Sequence, residues 1–318
     1  FEIKTSYVIK IVIYNIIKKT LTNFKMFEYL KKKYALLSIH IFNNTLGSTT
    51  NIVYFIHHQL SKILYLIAKN NKKNTRINKK ISELKKNGVS IVGNYKNIKN
   101  LKKKFNYYFS NKRQKKSTRK DAGGYLFLKK KYLKNFSEEI NNFIKSDLDK
   151  LLKQYYKSSY DLYWVEIIRS FPIKNHDDDK SLLFHFDDNP NSVLKTFVYL
   201  NDQDENSGAF KTLLKKDSRK LKKKGFLSYT KKDRDENQHM IKSNNLEKKV
   251  KIFKGKKGSI LIFQNNIIHK GNLPIKKNRD LIVIETIPST KTIDENKIKK
   301  ALERNVYRDY PQNPFYYR

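Results

Sequence analysis

Five short apolar runs follow one another after residue 160, and they constrain the fold more than any other feature of the sequence. They are "LYWVEIIRSF", "SLLFHF", "SVLKTFVYL", "KGSILIF" and "RDLIVIETI". Turns rich in Asp, Asn, Gly and Pro separate them, which is typical of consecutive β-strands. Because the first half of the chain shows helical spacing instead, we predict an α+β protein with a mainly β core, an antiparallel sandwich or barrel with helices packed outside.

The chain divides into an N-terminal extension and a main domain. Residues 1–68 are densely apolar with helical spacing, which predicts two or three helices, and the lysine-rich segment "KNNKKNTRINKK" reads as a linker over 69–80. We therefore expect a helical extension with its linker over 1–79 and the main domain over 80–318. In "ISELKKNGVSIVGNY" a short helix should end at Gly88 before a strand. Residues 129–157 are expected to be helical as well.

Lysine dominates the charge, and the formal net charge is +40. Such an excess can indicate a nucleic-acid or anionic-membrane partner. Here the lysines are spread along the whole chain, which favours a solvated surface instead. The basic clusters at 112–120 and 215–224 lack interleaved aromatic residues, so we interpret them as loops and argue against nucleic acid as a partner.

Two apolar stretches of the extension bear on the membrane. Residues 7–17 are too short to span a bilayer, and the stretch 51–68 is interrupted by His57, His58, Gln59 and Lys62. We therefore predict no spanning helix and expect a cytoplasmic protein, with peripheral membrane contact by residues 1–68 left open. The pattern does not indicate an oligomeric state.

The chain has no cysteine, so any metal must be held by His, Asp or Glu. His185 and Asp187 end the run "SLLFHF" and are two residues apart. Side chains alternate along a strand, so both should point to one side, while Phe184 and Phe186 pack on the other. This spacing makes His185 and Asp187 candidate ligands of one ion.

A second pair, His176 and Asp178 in "NHDDDK", has the same spacing. No alternating apolar residues flank it, so it reads as an exposed acidic turn rather than a fixed site. Asp188, next to the preferred pair, is either a residue that supports a ligand or a solvated turn residue. Trp164 and Arg169 could line a pocket, although a core tryptophan and a surface arginine are the simpler interpretation.

Two further residues complete the candidate site. His269 ends another apolar segment, in "GSILIFQNNIIHKGNLP", and two histidines with one carboxylate form the facial triad of non-haem Fe(II) oxygenases, though zinc and manganese stay open. Arg279 opens the next run, ten residues later. A guanidinium inside a barrel is costly unless it grips a carboxylate, and in an oxygenase that carboxylate would belong to 2-oxoglutarate.

The segments "FHFDDNPNSVLKTFVYLNDQDENSGAF" and "KGSILIFQNNIIHKGNLPIKKNRDLIVIE" resemble the phytanoyl-CoA dioxygenase-like family of Fe(II)/2-oxoglutarate enzymes. The likeness spans roughly residues 80–290, with "ELKKNGVSIVGNY" similar to the family's opening helix and strand. It implies a double-stranded β-helix (jelly roll) with flanking helices. It also implies Fe(II) held by His185, Asp187 and His269, with Arg279 on the distal carboxylate of 2-oxoglutarate.

The resemblance also implies a reaction. With 2-oxoglutarate as co-substrate and O2, an unactivated C–H bond of a small-molecule or lipid- or carbohydrate-like substrate would be hydroxylated, with release of succinate and CO2. Related halogenases have Gly or Ala in place of the carboxylate ligand, so Asp187 favours hydroxylation. The family's Gly-Ser-His turn is absent, and a lysine-rich insertion over about 215–250 stands in its place. We expect this insertion to shape the entrance to the site, so the family's substrate does not carry over.

Two alternatives stay open. One is a basic protein that binds nucleic acid or a membrane surface and whose jelly roll is catalytically silent. The other is a jelly-roll metalloenzyme that uses another metal and no 2-oxoglutarate. The intact set His185, Asp187, His269 and Arg279 argues against the first, and Arg279 would have no anionic partner in the second.

Overall fold

Ten strands among the described residues form two antiparallel sheets at the centre of the protein. The computed structural model describes residues 48–68, 75–120, 125–172, 180–187, 192–226 and 231–303. The described strands are β1 (Val89–Asn94), β2 (Thr118–Lys120), β3 (Tyr125–Leu128), β4 (Ser159–Ser170), β5 (Leu194–Tyr199), β6 (Phe210–Thr212), β7 (Lys251–Phe253), β8 (Ser259–Gln264), β9 (His269–Lys270) and β10 (Arg279–Ser289).

The helices lie mostly before β4 and within the lysine-rich insertion. They are α1 (Ser48–Ala68), α2 (Thr75–Asn87), α3 (Ile98–Tyr108), α4 (Asn111–Ser117), α5 (Lys130–Leu133), α6 (Ser137–Phe143), α7 (Asp149–Tyr156), α8 (Lys215–Lys223), α9 (Lys231–Ser243) and α10 (Glu295–Glu303). The expected helix end at Gly88 is confirmed, because its φ of 80° closes α2 just before β1.

The large sheet has seven strands in the order β1-β8-β5-β10-β4-β3-β2, and the small sheet has the order β7-β6-β9. Neighbouring strands pair antiparallel throughout. This arrangement confirms the predicted mainly β jelly roll with helices outside it. The expected strands at "LYWVEIIRSF", "SVLKTFVYL", "KGSILIF" and "RDLIVIETI" are all present.

Alternation along the strands creates a core on each face of the large sheet. On β10, Leu281 and Val283 join the cluster that also holds Phe210 of the small sheet. Ile282 and Ile284, between and beyond them, pack instead among the side chains of the outer helices. Burial of each such side chain contributes about 1.5–3 kcal/mol, so the two faces together fix the register of β10.

Three sequence expectations about local structure are wrong. The run "SLLFHF" is a 3₁₀ turn at Lys180–Leu182 followed by an isolated bridge at His185. Leu182, Leu183 and Phe184 are consecutive and all buried. A strand with one buried and one exposed face is therefore not needed to shield them from water. The clusters at 112–120 and 215–224 are helices over most of their length, because Lys, Arg and Gln favour helix and Leu221 anchors α8 in the interior.

The extension is described only in part. Residues 1–47 lie outside the described residues, so helices there stay a prediction, while α1 packs against β4 and β10. The helix α2 begins at Thr75, inside the predicted linker. None of the helices that the structure describes is long and apolar enough to cross a membrane.

The lysine-rich insertion has a small apolar core of its own. Leu221, Phe226 and Ile241 of the insertion pack with Phe184 and Ile268 of the main domain. Those two main-domain residues directly precede His185 and His269 in the chain. The insertion therefore lies behind the two segments that carry the candidate histidines.

Candidate metal centre

The two candidate histidines are joined through their backbones. His185 N–H donates to the carbonyl of His269 over 2.9 Å, and His269 N–H donates to the carbonyl of His185 over 2.7 Å. Asp187 follows two residues later, and its N–H donates to the carbonyl of Asn265 over 3.3 Å. Residues that are 84 positions apart in sequence are thus brought into one short antiparallel pair.

The structure brings the three predicted ligands together. One atom from each of His185, Asp187 and His269 can be chosen so that all lie within 4.8 Å of one another. Asp187 Oδ1 is 3.5 Å from His185 Nε2, and Asp187 Oδ2 is 3.6 Å from His269 Nε2. Two imidazoles and one carboxylate gathered on one side suit a divalent metal and leave coordination positions open.

Backbone carbonyls fix which ring nitrogen of each histidine faces the site. His185 Nδ1 lies 2.7 Å from the carbonyl oxygen of Leu183, and His269 Nδ1 lies 2.9 Å from that of Ile267. A carbonyl oxygen only accepts, so each Nδ1 carries the proton. The lone pair is then on Nε2, the nitrogen nearer to Asp187, which is the tautomer that a metal ligand needs.

The electrostatics keep the ligands in their binding forms near neutral pH. Burial would raise the pKa of Asp187, but the Lys195 ammonium, His269 and His185 outweigh it and lower that pKa well below its usual value. Burial lowers the pKa of His269 to about 3, against the opposing effect of Asp187. Asp187 is therefore ionised and His269 neutral, as coordination requires.

Two hydrogen bonds from the insertion support the histidine segments. Asn237 Nδ2 of α9 donates to the carbonyl of Phe184 over 3.2 Å. Ile268 N–H donates to Ser218 Oγ of α8 over 3.0 Å. Each bond is made at the residue just before a histidine, so α8 and α9 hold the backbone from which both rings project. The expected effect on an entrance stays a prediction.

Arg279 lies at the first position of β10, and only 6% of its surface is exposed. Its Nη1 donates to the carbonyl of Gly208 over 2.7 Å, and its Nη2 reaches Ser170 Oγ at 3.5 Å. The Nε of Arg279 is buried without a hydrogen-bond partner among the described residues. Because a buried guanidinium with an unused donor is costly, this site is suited to an anion such as a carboxylate.

Two charged residues that lie beside the centre were not among the residues predicted from the sequence. Lys195 Nζ lies 2.6 Å from Asp187 Oδ2 and 2.9 Å from Glu285 Oε1. Burial lowers the pKa of Lys195, but the two carboxylates raise it further, so the ammonium stays charged. Burial also raises the pKa of Glu285, against the effect of Lys195. The sequence signal that could have identified them is a charged residue inside an apolar run: the lysine in "SVLKTFVYL" and the glutamate in "RDLIVIETI".

The other candidates fall outside the centre. His176, Asp178 and Asp188 lie outside the described residues, so their interpretation stays a prediction. Arg169 binds Asp280 through Nε at 2.7 Å on the helix-covered side of the sheet, and it does not line the interior. Trp164 is half-buried and pairs in register with Glu285, so it faces the same interior as the candidate centre.

Within the part of the chain that the structure describes, fold and site define a jelly-roll protein with a candidate three-residue metal centre and a buried arginine. The solved structure of the epimerase SnoN in complex with Fe3+, alpha ketoglutarate and nogalamycin RO is similar, with 11% identity, 67% of this chain and 83% of that chain covered, and a TM-score of 0.50. The structure of EctD from S. alaskensis with bound Fe is also similar, with 9% identity, 74% of this chain and 88% of that chain covered, and a TM-score of 0.49. At 11% identity the likeness to SnoN shows the fold alone.

AviO1 from Streptomyces viridochromogenes Tue57 is a further similar structure, with 13% identity, 68% of this chain and 96% of that chain covered, and a TM-score of 0.47. No protein-family model matches the chain. No curated protein matches it either.

Proposed function

We propose that this protein is an Fe(II)/2-oxoglutarate-dependent oxygenase similar to the phytanoyl-CoA dioxygenase-like family. We propose further that it hydroxylates an unactivated C–H bond of a small molecule. One observation carries the proposal: the interior that holds His185, Asp187 and His269 within 4.8 Å also holds a buried arginine with an unused donor. A metal centre alone does not require such an arginine. A metal centre that takes an anionic co-substrate does.

His185, Asp187 and His269 would hold the iron through two Nε2 atoms and one carboxylate oxygen. When bound, iron with 2-oxoglutarate and O2 would supply the oxidising power, and 2-oxoglutarate would leave as succinate and CO2. The protein's task is to orient the substrate and to exclude water. The rings of Phe210 and Phe263, at 5.6 and 5.1 Å from the His269 ring, provide an apolar wall for this.

Arg279 would bind the distal carboxylate of 2-oxoglutarate. Nη1 already donates one hydrogen bond to the Gly208 carbonyl, and Nε has an unused donor, so the bound carboxylate would accept from Nε and from Nη2, which lies 3.5 Å from Ser170 Oγ. The aromatic ring of Tyr125, 5.8 Å from the guanidinium carbon, closes one side of this pocket. The positive charge and the fixed donors favour a dicarboxylate over a neutral keto compound.

Anaerobic titration of Fe(II) and 2-oxoglutarate tests this function. The parent protein should show the weak visible charge-transfer band of a chelated 2-oxoglutarate, and Asp187→Ala with His269→Ala should abolish it. The matched control is Asp235→Ala with His239→Ala, which removes the same residue types from the exposed face of α9. A parent protein without the band, or a site variant that keeps it, contradicts the assignment, and binding of another metal without 2-oxoglutarate favours the alternative metalloenzyme.

The outward face of α1 favours a second role, contact with an anionic membrane surface. This helix buries polar side chains, His57 and Ser61, while its exposed face is apolar. The exposed apolar residues are Phe55, Ile56, Leu60, Ile63 and Leu66. Spacings of four and three residues place Ile56, Leu60 and Ile63 on one side of the helix, where they could insert between lipid headgroups.

Flotation with vesicles tests the second role. The parent should bind vesicles of phosphatidylcholine with phosphatidylserine more than vesicles of phosphatidylcholine alone, and Leu60→Ser with Ile63→Ser should reduce the bound fraction. Gln59→Ser changes the same helix without removing an apolar group and serves as the control. Equal binding by the parent and the double serine variant contradicts the role, whereas the oxygenase proposal is unaffected.

A further inference from the structure

Lys195 is a buried cation beside an apolar cluster on the interior face of the large sheet. Along β5 the side chains of Lys195, Phe197 and Tyr199 alternate with outward ones, so all three face the interior. Lys195 pairs in register with Glu285 on β10 and with Phe263 on β8. Its side chain is 11% exposed, and that of Glu285 is fully buried.

Stability alone does not account for this pair of charges. Removing an ammonium and a carboxylate from water is costly, and buried ion pairs are often replaceable by apolar residues without loss of stability. The neighbouring positions on the same strands, such as Phe197 and Val283, show that apolar side chains pack well there. A function for the charges has to be sought in what Lys195 touches, which is Asp187.

The backbone holds Asp187 less firmly than it holds the histidines. Asp187 lies outside any strand, and its N–H makes a long hydrogen bond of 3.3 Å to Asn265. Its carboxylate, in contrast, accepts a short hydrogen bond of 2.6 Å at Oδ2 from Lys195 Nζ. Lys195 itself cannot swing away, because Glu285 holds it from the neighbouring strand at 2.9 Å.

We propose that Lys195, anchored by Glu285, is a positioning residue that occupies Oδ2 of Asp187 and presents Oδ1 alone to the metal. This inference rests on the proposed function, since it concerns the carboxylate ligand of the same centre. With Oδ2 engaged by Lys195, Asp187 would offer a metal one oxygen atom instead of two, which would leave more of the metal's coordination positions free for a co-substrate. The ammonium also offsets the negative charge of the Asp187 carboxylate, which it contacts at 2.6 Å.

The decisive variant removes both charges together. Lys195→Met alone would leave Glu285 buried without its cation and could prevent folding, so Lys195→Met is combined with Glu285→Gln. The matched control is Asp280→Asn, which removes a buried carboxylate from the same strand β10 on the opposite, helix-covered face, where it binds Arg169 and Lys102. Thermal unfolding shows that each variant is folded before any metal is added.

Metal affinity is measured with Co(II) under anaerobic conditions, and the Fe(II)–2-oxoglutarate band is recorded separately. We expect the double variant to bind Co(II) about 10- to 100-fold more weakly and to show a shifted or weakened band, as for other residues that orient a metal ligand. Asp280→Asn should lower the unfolding temperature but leave both readouts unchanged.

Three results would overturn the inference or its basis, and they are distinguishable. Parent-like Co(II) affinity and band in the double variant would remove the role of Lys195 and leave the oxygenase proposal standing. An equal loss of affinity in Asp280→Asn would mean that the effect is general loosening of the sheet. A parent that binds Co(II) but gives no Fe(II)–2-oxoglutarate band would contradict the proposed function, while weaker Co(II) binding by the double variant would still support positioning of Asp187.

Discussion

His185 and His269 exchange both backbone hydrogen bonds, over 2.9 and 2.7 Å, although no regular strand contains His185. The distance between the two candidate ligands is therefore set by main-chain pairing and not by side-chain packing. Elements that hold these two backbone segments should accordingly control the geometry of the centre. The lysine-rich insertion supplies such elements.

Ser218→Ala should destabilise the protein and loosen the segment before His269. The Ser218 hydroxyl accepts from Ile268 N–H over 3.0 Å and donates to the carbonyl of Leu213, and it is buried. Leaving a buried N–H without its partner costs about 1–3 kcal/mol. Urea unfolding measures the loss, and Ser243→Ala on the exposed part of α9 should change the unfolding free energy much less. Equal losses in both variants would contradict the supporting role of Ser218.

Gly208→Ala should disturb the pocket of Arg279. Gly208 has a φ of 78°, and a Cβ there would lie 2.3 Å from the carbonyl oxygen of Asn272. Gly225 has a φ of 91° with no atom within 4 Å of a Cβ, so Gly225→Ala should cost only the left-handed strain of about 1–2 kcal/mol. We expect Gly208→Ala to lose more unfolding free energy than Gly225→Ala. Of the two variants, only Gly208→Ala should bind 2-oxoglutarate more weakly than the parent.

Arg279→Gln should weaken the binding of 2-oxoglutarate to the Fe(II) protein by about 10- to 100-fold, the worth of a hydrogen bond to a charged group. The charge-transfer band, titrated with 2-oxoglutarate, measures the half-saturation concentration. Arg169→Gln removes an arginine that binds Asp280 on the other face of the sheet. It should lower stability and leave the half-saturation concentration near that of the parent. The opposite ranking of the two variants would show that Arg279 does not bind the co-substrate.

The metal-free protein should lose stability as the pH falls below about 6.5. Burial, followed by the charge of His58, lowers the pKa of His57 from 6.5 to about 4 in the folded state. Between these values the unfolded chain binds a proton at His57 that the folded chain rejects, so stability falls with falling pH, and the contribution of His57 is fully lost below pH 4. The shift corresponds to roughly 3 kcal/mol.

Urea unfolding at pH 7 and pH 4.5 measures this dependence. His57→Gln should reduce the difference between the two pH values, whereas His239→Gln, on the exposed face of α9, should leave it as in the parent. An unchanged difference in His57→Gln would exclude His57 as a source of the acid sensitivity.

The strand-rich half of the fold was predictable because alternation and turn residues are local signals. The runs that became β4, β5, β8 and β10 each combine β-branched and aromatic residues between turns. The same local reasoning failed for "SLLFHF", where burial on more than one side replaces alternation. It also failed for the two basic clusters, in which helix propensity and one or two buried side chains outweigh the charge.

The candidate ligands were predictable for a related reason. His185, Asp187 and His269 each stand at the end of an apolar segment, where a polar side chain is unusual unless it has a task. Their convergence within 4.8 Å required the backbone pairing of two distant segments, which the sequence could suggest only through family resemblance.

The sequence by itself determined which segments become strands and which side chains can bind a metal, since both follow from residue type and local spacing. Only the tertiary structure decided that Lys195 lies opposite Glu285 and beneath Asp187. That contact depends on the register of β5 against β10, which pairs two residues about ninety positions apart in the sequence. Register is set by the summed packing of both sheet faces, which no short stretch of sequence contains.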